Sequence, residues 1–275
     1  MQLAIHNLWV FNPTSIGKFF PKFLVHLVLL ISFTAVAEVL GAPAGPTDAS
    51  SVAQQRFREA EARYARQSTN TEAAWQFARA CFDLAEFATN TMARADIAEK
   101  GIAACRQALS WKPKFAAVHY YLGMNLAQLA RTKGLGALKI VDEMEHEFSI
   151  ARELDANLDY GGPDRNLGLL YRDTPSVISI GNHSKAKQHL HRAVELAPDY
   201  PENRLNLIEA DLKWNDRNGA RREMKALEER WPAAHTTFSG QVWAATWSDW
   251  EQRFKAVKKK IEEPAKSLQT PRQTQ

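Results

Sequence analysis

The stretch Arg204 to Pro232, RLNLIEADLKWNDRNGARREMKALEERWP, decides the fold. Within it Arg204, Leu207, Ile208, Asp211, Ala220, Met224, Leu227 and Pro232 fall at places 4, 7, 8, 11, 20, 24, 27 and 32 of a 34-residue helix-turn-helix unit, the tetratricopeptide spacing. Places 8 and 20 take small residues so that the paired helices can approach, and a Pro at place 32 is expected to stop the second helix. Working upstream, the template fits at Leu167, Gly168 and Tyr171 with Ala186, Leu190, Ala193 and Pro198. It fits at His119, Leu122, Gly123 and Leu126 with Met144, Phe148, Ala151 and Ala156. The first copy reads Trp75, Ala78, Arg79 and Phe82 with Gly101, Cys105, Ala108 and Pro113, which places Arg79 at place 8.

The place-7 residues Ala78, Leu122, Leu167 and Leu207 are 44, 45 and 40 apart, so each repeat is longer than 34 and the extra length goes mainly into the hairpin tips. No window alternates as a strand, and the β-branched stretch Thr174 to Ser184, broken by Pro and Gly, reads as a loop. Ser51 to Arg66 reads as a lone helix before the first repeat. Val242 to Ile261 carries Trp243, Trp247, Trp250, Phe254, Val257 and Ile261 on one helical stripe, as a cap over the last repeat requires. The expected fold is therefore all-α: a tetratricopeptide-like helical superhelix of about four enlarged repeats with a C-terminal capping helix, over residues 51–263.

The flanks read differently. Phe23 to Phe33 (FLVHLVLLISF) is apolar, follows Lys18 and Lys22, and precedes TAVA, the layout of a signal peptide over 1–37 with cleavage after Ala37. Residues 38–50 read as a linker and 264–275 as a disordered tail. The expected location is periplasmic or otherwise exported, with membrane contact only through an uncleaved N-terminus. Of 275 residues, 35 are Lys or Arg and 31 are Asp or Glu, but residues 38–254 alone are net −2, which excludes a nucleic-acid partner. Cys81 and Cys105 either bridge in an oxidising compartment or sit as small apolar residues on neighbouring helices.

The block Gly161 to Leu205, with GGPDR, LGLLY, the SIG turn, HLHRAVELAPDY and PENRL, resembles the T-component family of tripartite (TRAP-type) periplasmic transporters. The resemblance implies a helical scaffold that binds a periplasmic solute-binding subunit, carries a groove for a small organic ligand and forms homo-oligomers such as trimers. A general tetratricopeptide adaptor for envelope or secretion assembly is the rival reading.

No elbow of the GxSxG kind, phosphate loop, HExxH or CxxC occurs, so neither an enzyme nor a cofactor or metal site is expected. First helices of such repeats line the concave surface, which brings forward Asp164, Arg165, Tyr171, Arg172, Asn203 and Arg204 as ligand- or partner-binding residues. Arg suits a carboxylate because its fork donates two parallel hydrogen bonds. The alternative is that Arg165 or Arg204 pairs internally with Asp199, Glu202 or Asp211 and fixes the GGP and PEN turns. On this reading Arg165 lies on a turn with a solvated partner, and its loss costs little.

Overall fold

The computed structural model describes residues 49–263. The expected signal peptide, most of the linker and the tail lie outside them. Among the described residues are ten α-helices and no strand: α1 (Ala49–Arg66), α2 (Thr71–Ala85), α3 (Thr91–Trp111), α4 (Ala116–Ala130), α5 (Leu138–Leu154), α6 (Leu158–Asp173), α7 (His183–Leu196), α8 (Pro201–Lys213), α9 (Arg217–Thr237) and α10 (Ala244–Glu262). Polar caps set several starts. Asn70 accepts from the amides of Glu72 and Ala73, Asn90 from Ala93, Asn182 from Lys185 and Asp216 from Gly219.

The helices pack in sequence as hairpins, α2 with α3, α4 with α5, α6 with α7 and α8 with α9. The first helices also touch one another, α2 to α4 to α6 to α8, and α10 lies against α8 where a fifth first helix would stand. This is the expected superhelix with its cap. Trp250 is fully buried at the last joint, ringed by Tyr200, Phe238, Trp243 and Trp247.

Place 8 behaves as the repeat pattern demands in two copies. A Cβ on Gly123 would stand 2.6 Å from the Phe148 ring, and one on Gly168 would stand 2.7 Å from Leu190 Cγ. Phe148 and Leu190 are the place-24 residues of the same two repeats, so each glycine admits its partner helix. The first copy needs correction. Ala78 is fully buried whereas Arg79 is half-buried, so the small residue at the helix contact is Ala78 and the register there moves by one. The place-8 residues are then Ala78, Gly123, Gly168 and Ile208, spaced 45, 45 and 40.

A second correction concerns Pro232. It lies inside α9, which runs on to Thr237, so the last repeat's Pro does not end its helix. The missing amide removes one hydrogen bond, while Ala234 and Phe238 beyond it are buried in the cluster that holds Trp250. Packing of that extra turn outweighs the break. Cys81 and Cys105 are both fully buried free thiols, and burial pushes each above its ordinary pKa.

Candidate functional site

Each repeat after the first joins its two helices with a polar pair. His119 of α4 meets Glu147 of α5 at 2.6 Å, Asp164 of α6 meets His189 of α7 at 2.7 Å, and Arg204 of α8 pairs with Glu223 of α9. All three are the same contact, place 4 with place 23. In the first repeat these places hold Ala74 and Ala104, both buried. Place 4 therefore points into the repeat rather than onto the concave surface, which corrects the placement of Asp164 and Arg204 there. The acid that Arg204 takes is Glu223, not one of the three near the PEN turn.

His119 has a carboxylate oxygen on Nδ1 and the carbonyl oxygen of Pro113 on Nε2, at 2.6 and 2.7 Å. Both partners accept, so the ring carries both protons. Burial alone opposes this charge, but the bonds to Glu147 and Pro113 outweigh it and raise the pKa above the ordinary histidine value. Because the folded pKa lies above the unfolded one, the contribution is full below pH about 6.5 and is lost as pH rises through the folded value. The buried carboxyl of Asp83 acts in the same direction, but its window lies between 3.8 and about 6. Melting temperature followed against pH is thus expected to fall above about pH 6.5 in the parent and to stay flatter in His119→Gln. An equal slope in both would remove the imidazolium from the account.

The remaining residues brought forward by the sequence are also placed inside the fold. Arg165 is fully buried, donating to the Asp159 carboxylate at 2.6 Å, the Asp159 carbonyl at 3.2 Å and Asn203 Oδ1 at 3.1 Å. Asn203 returns two bonds, to the carbonyls of Tyr160 and Ala193 at 2.8 and 2.9 Å. Tyr120 donates to the same Asp159 carboxylate, and Asn166 donates to Tyr120. Burial works against the Arg165 charge, yet Tyr120, Asp159 and Glu202 hold its pKa above the ordinary value. Asp159, Tyr160 and Gly161 lie in the left-handed region with φ of 55°, 57° and 75°. The Arg165 and Asn203 clamps hold that strained turn before Pro163 starts the regular part of α6. The expectation of Arg165 on a turn with a solvated partner is thus corrected: GGPDR and PENRL are the two halves of one buried joint.

Tyr171 donates to Glu145 and stacks on His189, and Arg172 makes a bidentate pair with Asp173 at 2.9 and 2.7 Å. The structure therefore joins Arg165 with Asn203, and Asp164 with Tyr171 through His189. Arg172 and Arg204 stand apart from both.

A different set faces open space. Arg56 and Ala60 of α1, Gln76, Arg79, Ala80 and Asp83 of α2, and Val242 from the 3-10 turn Gln241–Trp243 line a groove of about 310 Å³. The last turn of the superhelix has come round to face its first helices. Gln76 is held by Arg63 and Glu72. Arg79 and Asp83, one helical turn apart, have no hydrogen bond or ion pair among the described residues, although Asp83 is only 5% exposed. Burial raises the Asp83 carboxyl, against the pull of Arg79 and Arg56, to about 6. It is therefore charged at neutral pH, beside a guanidinium with free donors. Sequence reasoning missed both residues. The available signal was an Arg at a place that holds buried apolar or glycine residues in the other copies, Gly123, Gly168 and Ile208, which marks a slipped register.

Residues 45–157 match the family model described as regulator of microtubule dynamics protein 1-3. That segment covers α1 to α5 and every charged residue of the groove. No curated protein matches the chain. The expectations of a transporter T-component, a periplasmic scaffold and an envelope adaptor are corrected by the family match. The block that carried the resemblance, Gly161 to Leu205, lies wholly outside the matched segment, and its GGPDR and PENRL stretches serve the Arg165–Asn203 joint, a packing device.

Proposed function

We propose that the chain is a non-catalytic helical-repeat module that holds a polypeptide partner in the groove of α1, α2 and Val242, and that it acts in microtubule regulation. The observation that carries this reading is the pair Arg79 and Asp83. A peptide unit offers an acceptor and a donor, and this pair offers the complement: guanidinium donors to a carbonyl or carboxylate, and a charged carboxylate to an N–H. At 5% exposure the Asp83 carboxylate keeps little contact with water while the charges of Arg79 and Arg56 hold it ionised, so a ligand N–H that bonds it displaces little solvent and the arrangement suits a site completed by binding. Support for the setting comes from the family match, which spans Arg56, Gln76, Arg79 and Asp83.

Co-pelleting of the purified chain with polymerised tubulin tests the reading. Arg79→Ala is expected to weaken binding by about 10- to 150-fold, the equivalent of one charge-assisted hydrogen bond, with the melting temperature unchanged. Binding should also weaken below pH about 6, where Asp83 gains its proton. A parent chain that stays in the supernatant removes the microtubule setting. Equal pelleting of parent and variant removes the groove.

A further inference from the structure

We propose that the edge formed by the tips of the last two repeats and the end of α10 docks on an anionic membrane surface, with Val177 and Ile178 entering the interface. None of these residues lies in the matched segment or the groove, so the proposal stands apart from the reading above.

Val177 is 92% exposed and Ile178 is 59% exposed, at the tip of the loop joining α6 to α7. The loop is held from below. Thr174 Oγ1 donates to the Leu170 carbonyl at 2.8 Å, the Ser179 amide to Pro175 at 3.0 Å and the Asn182 amide to Tyr171 at 2.9 Å. A Cβ on Gly181 would stand 2.0 Å from the Thr174 oxygen, so the two limbs of the loop are pressed together. Ile180 turns inward and packs on the core while Val177 and Ile178 face out. Two aliphatic side chains are thus presented in a fixed position, and residues 174–182 carry no charge.

Around them the edge is basic. Lys213 from the α8 end donates to the Arg172 carbonyl and to Asp173 at the α6 end, and Lys187 of α7 pairs with Asp211 and Asp216. Arg217 at the α9 start donates to the carbonyls of Lys260 and Glu263 at the α10 end. These contacts bring five helix ends to one edge. Residues 172–187, 211–222 and 258–263, which make up that edge, hold ten Lys or Arg against five Asp or Glu, on a body whose residues 38–254 are net −2. The exposed cations Arg221, Arg222, Lys259 and Lys260 account for most of the surplus. Residues 264–275, outside the described residues, hold Lys266 and Arg272 with no acid.

An aliphatic tip within a basic edge fits an anionic bilayer, where the apolar pair enters the interface and the cations meet the headgroups. The N-terminal apolar run Phe23 to Phe33 is a separate element able to meet a bilayer, and stable membrane binding takes two such signals. An acidic protein would have to supply a pocket for the tip. A lipid surface needs none.

The test labels the full chain at Ser176→Cys with a polarity-sensitive fluorophore, selectively because Cys81 and Cys105 are fully buried. On vesicles of phosphatidylcholine with phosphatidylserine the label is expected to shift to the blue and the protein to float with the lipid. On phosphatidylcholine alone the shift should be absent. Val177→Asp with Ile178→Asp, both exposed and therefore harmless to the fold, should weaken binding to the anionic vesicles about tenfold or more. Arg221→Glu with Arg222→Glu should do the same at low salt, where screening is weak. Flotation without a blue shift would mean that the N-terminus alone binds, and it would overturn the proposal. So would an equal shift in the Asp variant, or a shift obtained with polyglutamate and not with vesicles, which would assign the edge to an acidic protein.

Discussion

Arg165→Ala is expected to destabilise the protein by about 3 to 5 kcal/mol, the range for breaking a buried ion pair by removing one partner. The guanidinium is fully buried and bonds Asp159 twice and Asn203 once, and its face lies 5.4 Å from the centre of the Tyr200 ring. Its removal takes the guanidinium from the Asp159 carboxylate, which Tyr120 also bonds, and frees the left-handed turn from 159 to 161 that the clamp holds. Arg165→Lys keeps a charge but loses the fork, so an intermediate loss is expected. Urea unfolding followed by helicity measures all three proteins. A loss below about 1 kcal/mol for the Ala variant, the range of a solvated pair, would contradict the buried joint.

Gly168→Leu should cost about 3 kcal/mol, the upper part of the range for overpacking. Its first added atom alone would stand 2.7 and 2.9 Å from Leu190 Cγ and Cδ2 and 3.1 Å from the Leu190 amide nitrogen. Leu190 is itself fully buried and the backbone behind it belongs to α7, so the helices must part. Gly168→Leu with Leu190→Ala should recover part of the loss, because the freed volume lies where the new side chain goes. Thermal unfolding of the single and double variants checks this. A double variant less stable than the single one would show that the two positions do not face each other.

The helical repeat was legible because it is written in volume. Gly123 and Gly168 can only be where another helix presses, and the Trp250 stripe can only be a buried face. Polar residues were harder to read. Asp164 and Arg204 look alike from the sequence whether they face a ligand or a partner helix, since only the helix's rotation decides and one residue turns it by about 100°. The same arithmetic hid Arg79 and Asp83, which a register one residue out turns from groove to core. Pro232 failed as a stop signal because local propensity is a weak prior against the burial of Phe238 and Ala234 beyond it. Arg165 looked solvated because GGP reads as an exposed turn, and nothing local announces that a residue 38 positions away closes over it.

The polar contacts between places 4 and 23 also bear on how the chain avoids assembling wrongly. Their polarity alternates along the array: base with acid at His119 and Glu147, acid with base at Asp164 and His189, base with acid at Arg204 and Glu223. If a second helix were to swing onto the neighbouring repeat's first helix, within one chain or between two copies, Asp164 would meet Glu147 or Glu223. His189 would likewise meet His119 or Arg204. Every adjacent exchange among the second, third and fourth repeats buries like against like, so domain swapping by one repeat is penalised there in either direction, and those three hairpins acquire an order in which they can close.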